Sequence, residues 1–140
     1  MLLLMLMSAL AQAEEPDRIH GFRIGVCGGF SAECIGINPK LEYAGKYAGI
    51  NINTTLVTSA ISLRLYPIPV RERPHISWRP YGYFGASVIV MALGLAGGGV
   101  GADIHLTPSR RLCLQPSVGA MSDQYGDWYY SGAFGAMYTF

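Results

Sequence analysis

The 140-residue chain carries little charge, because only 14% of its residues are Asp, Glu, Lys or Arg and the formal net charge is +1. It has no basic stripe of the kind that binds nucleic-acid phosphates, so we expect no nucleic-acid partner. It also lacks an N-terminal apolar run long enough to span a bilayer as a helix. Hydrophobic residues make up 51% of the sequence, and 18 glycines with 8 prolines argue against a helical protein. The length allows one domain.

Residues 1–13, MLLLMLMSALAQA, form an apolar run that ends in Ala11-Gln12-Ala13. A small-x-small pattern after a short apolar run is typical of a secretory signal peptide and its cleavage site. The basic residues that usually begin such a signal are missing, so a buried N-terminal helix is the alternative. We predict that residues 1–13 are a signal peptide that is removed, which leaves 14–140 as the single mature domain.

The last segment, residues 127–140, alternates with a period of two, which indicates a strand rather than a helix. One face is large and aromatic and the other is small: Trp128, Tyr130, Gly132, Phe134, Ala136, Tyr138 and Phe140 against Tyr129, Ser131, Ala133, Gly135, Met137 and Thr139. The large face requires an apolar environment.

Seven earlier segments repeat this alternation: 20–30, 34–43, 47–53, 58–66, 79–93, 100–106 and 112–121. We expect a glycine loop over 94–99 and a connection over 67–78 that is too rich in proline to be a strand. The boundary at 54–57 has no Gly or Pro to mark it. Strands of about ten residues fit a tilted crossing of a bilayer. The sequence therefore predicts that residues 14–140 adopt an all-β fold, which is a closed eight-stranded antiparallel up-and-down transmembrane barrel.

The polar faces of these strands carry the charges and many small residues, whereas the apolar faces carry almost no charge. In a small membrane barrel the polar face fills the lumen and the apolar face meets lipid. The predicted lumen charge network is Arg23, Lys40, Glu42, Arg64, Asp103 and His105, accompanied by Asn38, Asn51, Asn53 and Gln115. Two aromatic belts are also expected, one with Tyr43, Tyr47, Tyr66, Trp78, Tyr138 and Phe140, the other with Phe30, Tyr125, Trp128 and Tyr130.

The lumen residues allow three interpretations. The first is a structural salt-bridge network in a barrel too narrow to conduct, and the second is a gated ion path through Arg23, Glu42 and Arg64. The third is a hydrolase that combines Asp103 and His105 with Ser87 or Ser117, although the sequence contains no nucleophile elbow. His20 and His75 show no metal-ligand spacing. We therefore expect no catalytic residue, no metal and no cofactor.

The three cysteines allow one disulfide. Cys27 and Cys34 face the lumen on adjacent strands, and a symmetric turn through GGFSAE would place them directly opposite each other. An oxidising periplasm would permit the bond, and three free thiols are the alternative. Cys113 is expected to be a small buried lumen residue.

The predicted signal, the eight alternating strands and the terminal Tyr138-Thr139-Phe140 resemble the small eight-stranded outer-membrane barrels of Gram-negative bacteria. The segments RPYGYFGAS, GGGVGADIHLTPS and SGAFGAMYTF are similar to hairpins of the OmpA-like and OmpX-like group. The resemblance implies the bacterial outer membrane as the location. It also implies that Phe140, with Tyr138, is the signal read by the barrel-assembly machinery. Binding in that family usually resides in long outer loops, which are short here.

We therefore expect a monomeric outer-membrane barrel with a structural role in the cell envelope. Its partners would be the lipid bilayer and the barrel-assembly machinery. A soluble exported barrel that binds a small apolar ligand, like a lipocalin, is the second hypothesis. A lipid-modifying outer-membrane enzyme is the third.

Overall fold

The computed structural model of the protein describes residues 20–68, 70–72, 76–89, 93–106 and 111–140. The strands within these ranges are β1 (Gly21–Ser31), β2 (Cys34–Ala44), β3 (Ala48–Thr54), β4 (Thr58–Leu65), β5 (Arg71–Glu72), β6 (Ile76–Ile89), β7 (Leu93–Leu106), β8 (Leu112–Asp123) and β9 (Trp128–Thr139). The predicted signal peptide and His75 lie outside the described residues. In the described part of the chain, no helix has the length and apolarity to cross a membrane.

Eight of these strands form a closed antiparallel barrel, which confirms the all-β fold and the closed eight-stranded antiparallel barrel of the prediction. Their order is β4-β3-β2-β1-β9-β8-β7-β6, and β4 also pairs with β6 to close the ring. The first and last strands are neighbours, with Arg23 opposite Thr139 and Phe30 opposite Gly132. The two-residue β5 pairs only with the start of β6. Apart from β6 and its neighbour β4, each pair in the ring joins strands consecutive in the chain or the two terminal strands.

Side chains alternate between the lumen and the outside along the barrel strands, as the period of two requires, except next to the β1–β2 turn. On β9, Met137 and Thr139 are fully buried, whereas Phe134 and Tyr138 are 52% and 43% exposed. Ile37 on β2 is 84% exposed. The β1–β2, β3–β4 and β8–β9 turns lie at one end of the barrel, called here the turn end. The outer surface of the ring is therefore apolar and its interior is polar.

The predicted glycine loop over 94–99 is wrong, because these residues belong to the long strand β7. Their small size has a packing reason. A Cβ on Gly101 would lie 2.5 Å from Cζ of Tyr81, and a Cβ on Gly99 would lie 2.9 Å from the hydroxyl of Tyr83. Two tyrosine rings from β6 thus lie across the backbone of β7, where only glycine leaves room for them.

The interpretation of residues 67–78 as a connection without strands is also wrong. Arg71 and Glu72 pair with Trp78 and Ser77 in a short hairpin, and β6 begins at Ile76. The paired residues of β5 contain no proline, so no ladder hydrogen bond is lost.

The unmarked boundary near 54–57 is a tight turn made by threonine rather than by glycine or proline. The hydroxyl of Thr55 accepts hydrogen bonds from the backbone N–H groups of Val57 and Thr58, at 3.3 and 3.1 Å. The backbone N–H of Thr55 donates to the carbonyl of Thr58. A hydroxyl that mimics a backbone turn closes the β3–β4 hairpin.

Candidate functional site

The candidate site is the charge network in the lumen, where the structure brings all six predicted residues together with two more. Four cations, Arg23, Lys40, Arg64 and Arg79, lie among three carboxylates, Glu33, Glu42 and Asp103, and all are at most 3% exposed. His105 is fully buried beside them. With His105 neutral, the described lumen residues therefore carry one excess positive charge.

Arg23 joins opposite walls of the barrel. The β1–β2 register sets it opposite Glu42, and its Nη1 lies 2.8 Å from Oε1 of that residue. The same Nη1 lies 2.7 Å from Oδ2 of Asp103 on β7. Charge-assisted bonds of this length are among the stronger hydrogen bonds in proteins. The bond to Asp103 connects β1 with β7, and these two strands are not neighbours in the sheet.

Asp103 is the carboxylate with the most partners. Besides Arg23, Nη1 of Arg64 lies 3.3 Å from its Oδ1 and Nη2 of Arg79 lies 3.4 Å from its Oδ2. Nε2 of Gln115 donates to Oδ1 at 3.1 Å. A carboxylate buried this completely requires such compensation, because an unpaired charge would cost several kcal/mol.

Glu42 is the second centre of the network. Nη1 of Arg64 lies 2.9 Å from its Oε2, and Nζ of Lys40 lies 3.6 Å from the same atom. Gln115 donates from Nε2 to both carboxylate oxygens and accepts from Nζ of Lys40 at 2.9 Å. The amide of Gln115 therefore links the carboxylates to the one lysine of the lumen.

Arg79 and Tyr66 are lumen residues that the sequence interpretation missed or misplaced. Tyr66 was expected in an aromatic belt, but it is only 3% exposed. Its ring lies 3.4 Å from Cζ of Arg79, and its hydroxyl donates to Asp103. The alternation of residues 58–66 already placed Tyr66 on the polar face. That parity, rather than its position at a strand end, was the correct signal.

Glu33 is a turn residue that nevertheless lies in the lumen. The hairpin tip, defined as residues 31–35, is at most 6% exposed throughout. Oε1 of Glu33 lies 2.6 Å from Nε of Arg64, and its Oε2 accepts from the hydroxyl of Tyr81 at 3.2 Å. No sequence pattern signalled this position, because a turn at the end of a strand is expected to face solvent.

The structure contains the Cys27–Cys34 disulfide, but by a different route from the symmetric hairpin expected. Cys27 is opposite Asn38, and Cys34 is opposite Ser31. In a flat hairpin the two cysteines would be about 13 Å apart along the strands, whereas their Cα atoms are 6.2 Å apart. The tip therefore folds back into the lumen.

Two glycines allow this fold. Gly29 and Gly36 are opposite each other in the ladder and have φ of 149° and 77°, values that side chains disfavour. On the side of Gly36 that leads to the turn, the inward and outward alternation of side chains shifts by one residue. Ile35, which was expected on the outer face with Ile37, is therefore only 6% exposed. It packs with Leu95 and Met121 in an apolar cluster.

Asp103, His105 and Cys113 each present a ligand atom within 4.8 Å of the others, as a metal site would. The guanidinium of Arg23 already lies beside all three. Its Nη2 is 3.3 Å from Nε2 of His105, and its Nη1 is 3.9 Å from Sγ of Cys113. A divalent cation here would be next to a buried positive charge. The cluster thus fits the arginine rather than a metal.

The register separates the residues of the hydrolase hypothesis. Ser117 is opposite Gly101, four residues from His105 and thus about 13 Å along β7. Ser87 is opposite Leu95, ten residues from His105 and about 33 Å away. Neither serine lies within hydrogen-bond reach of the histidine, which a nucleophile and its base require.

Comparison of the chain with protein-family models, with curated proteins and with solved structures found no match.

Proposed function

We propose that the chain is a transmembrane barrel of a bacterial outer membrane, with a structural role in the envelope and a closed lumen. The observation that carries the proposal is the distribution of charge. Among the described residues of the eight barrel strands, every charged side chain is on the inward-facing set, and the outward-facing set has none. A water-soluble barrel would place charge on its outside.

The outer surface supports this proposal in detail. Its central side chains are apolar, mostly Ile, Val, Leu, Phe, Ala and Pro, and Val100 and Val118 are opposite each other in the sheet at 61% and 62% exposure. A contiguous apolar surface around a whole barrel is far larger than soluble monomers expose. Closure also gives each of the eight described barrel strands a hydrogen-bonded neighbour on both sides, as a hydrocarbon environment favours.

Aromatic side chains at the two ends of the barrel are consistent with interfacial belts. Tyr125, Trp128 and Tyr130 at the turn end are 76%, 73% and 97% exposed. Tyr47 and Phe140 at the opposite end are 69% and 72% exposed. We propose that Phe140, with Tyr138 packed against its ring, is recognised by the barrel-assembly machinery.

The filled lumen favours a structural role over the other hypotheses. Among the described residues, paired charges and the hairpin tip occupy the interior, which favours a closed lumen over a lipocalin-like apolar cavity or the open polar channel of a conducting pore. In planar bilayers we expect no resolvable current from the wild type or from Glu42→Ala. We propose a monomer without catalytic activity.

Membrane fractionation in a Gram-negative host tests the proposal. The expected result is a protein that remains in the membrane pellet after alkaline carbonate extraction and migrates differently on gels before and after boiling. A soluble monomer in the periplasm would contradict it.

A matched pair of variants sharpens this test. Val118→Arg places a charge at the middle of the outward face, which costs about 2–4 kcal/mol in a bilayer, so the membrane-inserted fraction should fall. In a soluble barrel the same exposed arginine would be harmless. Asp127→Asn, at an exposed turn residue, is the control that should insert normally.

A further inference from the structure

We propose that Arg64, Asn51 and Tyr81 form a carboxylate-binding site in the lumen, which the chain occupies with its own Glu33. The hairpin tip (residues 31–35) thereby acts as a tethered plug. Donors from β3, β4 and β6 converge on one side chain that belongs to none of those strands. The inference concerns the interior and does not depend on whether lipid or water surrounds the barrel.

The donors are arranged as a carboxylate requires. Oε1 of Glu33 accepts from Nε of Arg64 at 2.6 Å and from Nδ2 of Asn51 at 3.2 Å, while Oε2 accepts from the hydroxyl of Tyr81 at 3.2 Å. Both oxygens are therefore bound, and one bond is a salt bridge, the stronger class of hydrogen bond. The ring of Tyr81 also lies 4.1 Å from Cζ of Arg64, which holds the guanidinium in place.

Arg64 keeps two other carboxylate partners when Glu33 leaves the site. Arg64 also pairs with Glu42 at 2.9 Å and with Asp103 at 3.3 Å. Withdrawal of Glu33 would thus leave the guanidinium paired on one side and open at Nε on the other. The lumen would then gain a second excess positive charge, which favours entry of an external anion.

Side chains of β2, β3 and β4 also bind the backbone of the tip. The carbonyl of Glu33 accepts from Nδ2 of Asn53, and the carbonyl of Ile35 accepts from Nδ2 of Asn38 at 2.8 Å and from the hydroxyl of Thr58 at 3.2 Å. Ala32, 1% exposed, packs in a cluster with buried tyrosines. The binding site for the tip thus consists of Arg64, which supplies the charge, together with Asn38, Asn51, Asn53 and Thr58.

Besides these backbone contacts, two side-chain attachments hold the tip, the Glu33 site and the Cys27–Cys34 disulfide. Their roles can be separated with a thiol reporter. The background variant is Cys27→Ser, Cys34→Ser and Cys113→Ser, which removes the disulfide and the free thiol, with Ala32→Cys as the reporter. Maleimide labelling of the folded barrel then measures how often the tip leaves the lumen.

With Glu33 present we expect slow labelling of the reporter. Adding Glu33→Ala should accelerate labelling by about tenfold or more, the effect of losing one charge-assisted hydrogen bond. Glu33→Gln is the matched control for charge, since it retains the size and one acceptor, and it should give an intermediate rate. Equal rates with and without Glu33 would overturn the proposal.

A second measurement tests the ligand class with the disulfide intact. In Glu33→Ala, sodium acetate should raise the midpoint of thermal unfolding, whereas equal concentrations of acetamide or sodium chloride should not. Because a short tether supplies an effective concentration in the millimolar range or above, about 10–100 mM acetate is required. The wild type, whose site is occupied, should not respond. The proposal fails if acetate and acetamide have the same effect on Glu33→Ala. If Glu33→Ala does not fold, refolding yield in acetate against acetamide decides the question in the same way.

Discussion

Asp103→Asn is the substitution that most strongly tests the lumen network. It preserves the shape of the side chain but removes the charge that lies 2.7 Å from Arg23, 3.3 Å from Arg64 and 3.4 Å from Arg79. The lumen would then hold four cations and only two carboxylates. Breaking one member of a buried ion-pair network typically costs about 3–5 kcal/mol. We expect a loss of that size in the free energy of unfolding.

The measurement is urea unfolding of the protein folded into phospholipid vesicles, followed by the gel mobility of the unboiled sample. The midpoint should shift to lower urea with an unchanged slope, which indicates a change of stability rather than of the unfolded state. Asp127→Asn makes the same chemical change at an exposed turn residue and should alter stability by less than about 0.5 kcal/mol.

A double-mutant cycle with Arg23→Met separates pairing from packing. Arg23→Met leaves three cations against three carboxylates, so it should cost less than Asp103→Asn. The coupling between the two substitutions should be about 0.5–3 kcal/mol. If Asp103→Asn were as stable as Asp127→Asn, the charges in the lumen would not hold the barrel together, and our description of the network would be refuted.

Three further predictions follow from the packing and the covalent structure. Gly101→Ala would force a Cβ to within 2.5 Å of the Tyr81 ring and should cost about 1–3 kcal/mol, whereas Gly82→Ala, with its nearest atom at 3.9 Å, should be nearly neutral in the same urea assay. Removing the disulfide with Cys27→Ala and Cys34→Ala opens a loop with a sequence separation of 7 and should lower the free energy of unfolding by about 2 kcal/mol. Thiol counting on the denatured, unreduced wild type should find one free thiol, and three free thiols would exclude the bond. Phe140→Asp should reduce the fraction of the protein that is assembled in the membrane in vivo, and normal insertion of this variant would show that Phe140 is not the assembly signal.

The barrel was predictable because its strands follow a strict period of two and a closed sheet places each parity on one side. The same parity identified Arg23, Lys40, Glu42, Arg64, Asp103 and His105 as lumen residues, and all six are buried there. Assigning these residues to the lumen by parity did not require any knowledge of which strands are neighbours. The partners of each charge depend on register and on the diameter of the ring, so the pairing of Arg23 with Asp103 across the lumen could not be predicted.

The failures occurred where a local signal competed with a contact distant in the sequence. The run of glycines at 97–99 suggested a loop, but the reason for it lies on another strand, in the rings of Tyr81 and Tyr83. Glu33 is the last residue of the predicted GGFSAE turn, and a flat hairpin would carry it out of the barrel. Only the fold at Gly29 and Gly36 brings its carboxylate to Arg64.

The central claim is that the outward face of the barrel meets lipid, and fluorescence quenching at Val118 tests it most directly. In a background of Trp78→Phe and Trp128→Phe, Val118→Trp places the only tryptophan at mid-height on the outer surface. After folding into vesicles whose acyl chains carry bromine near the bilayer centre, we predict strong quenching by bromine and weak quenching by aqueous acrylamide. Strong quenching by acrylamide, with no effect of bromine, would contradict the proposal.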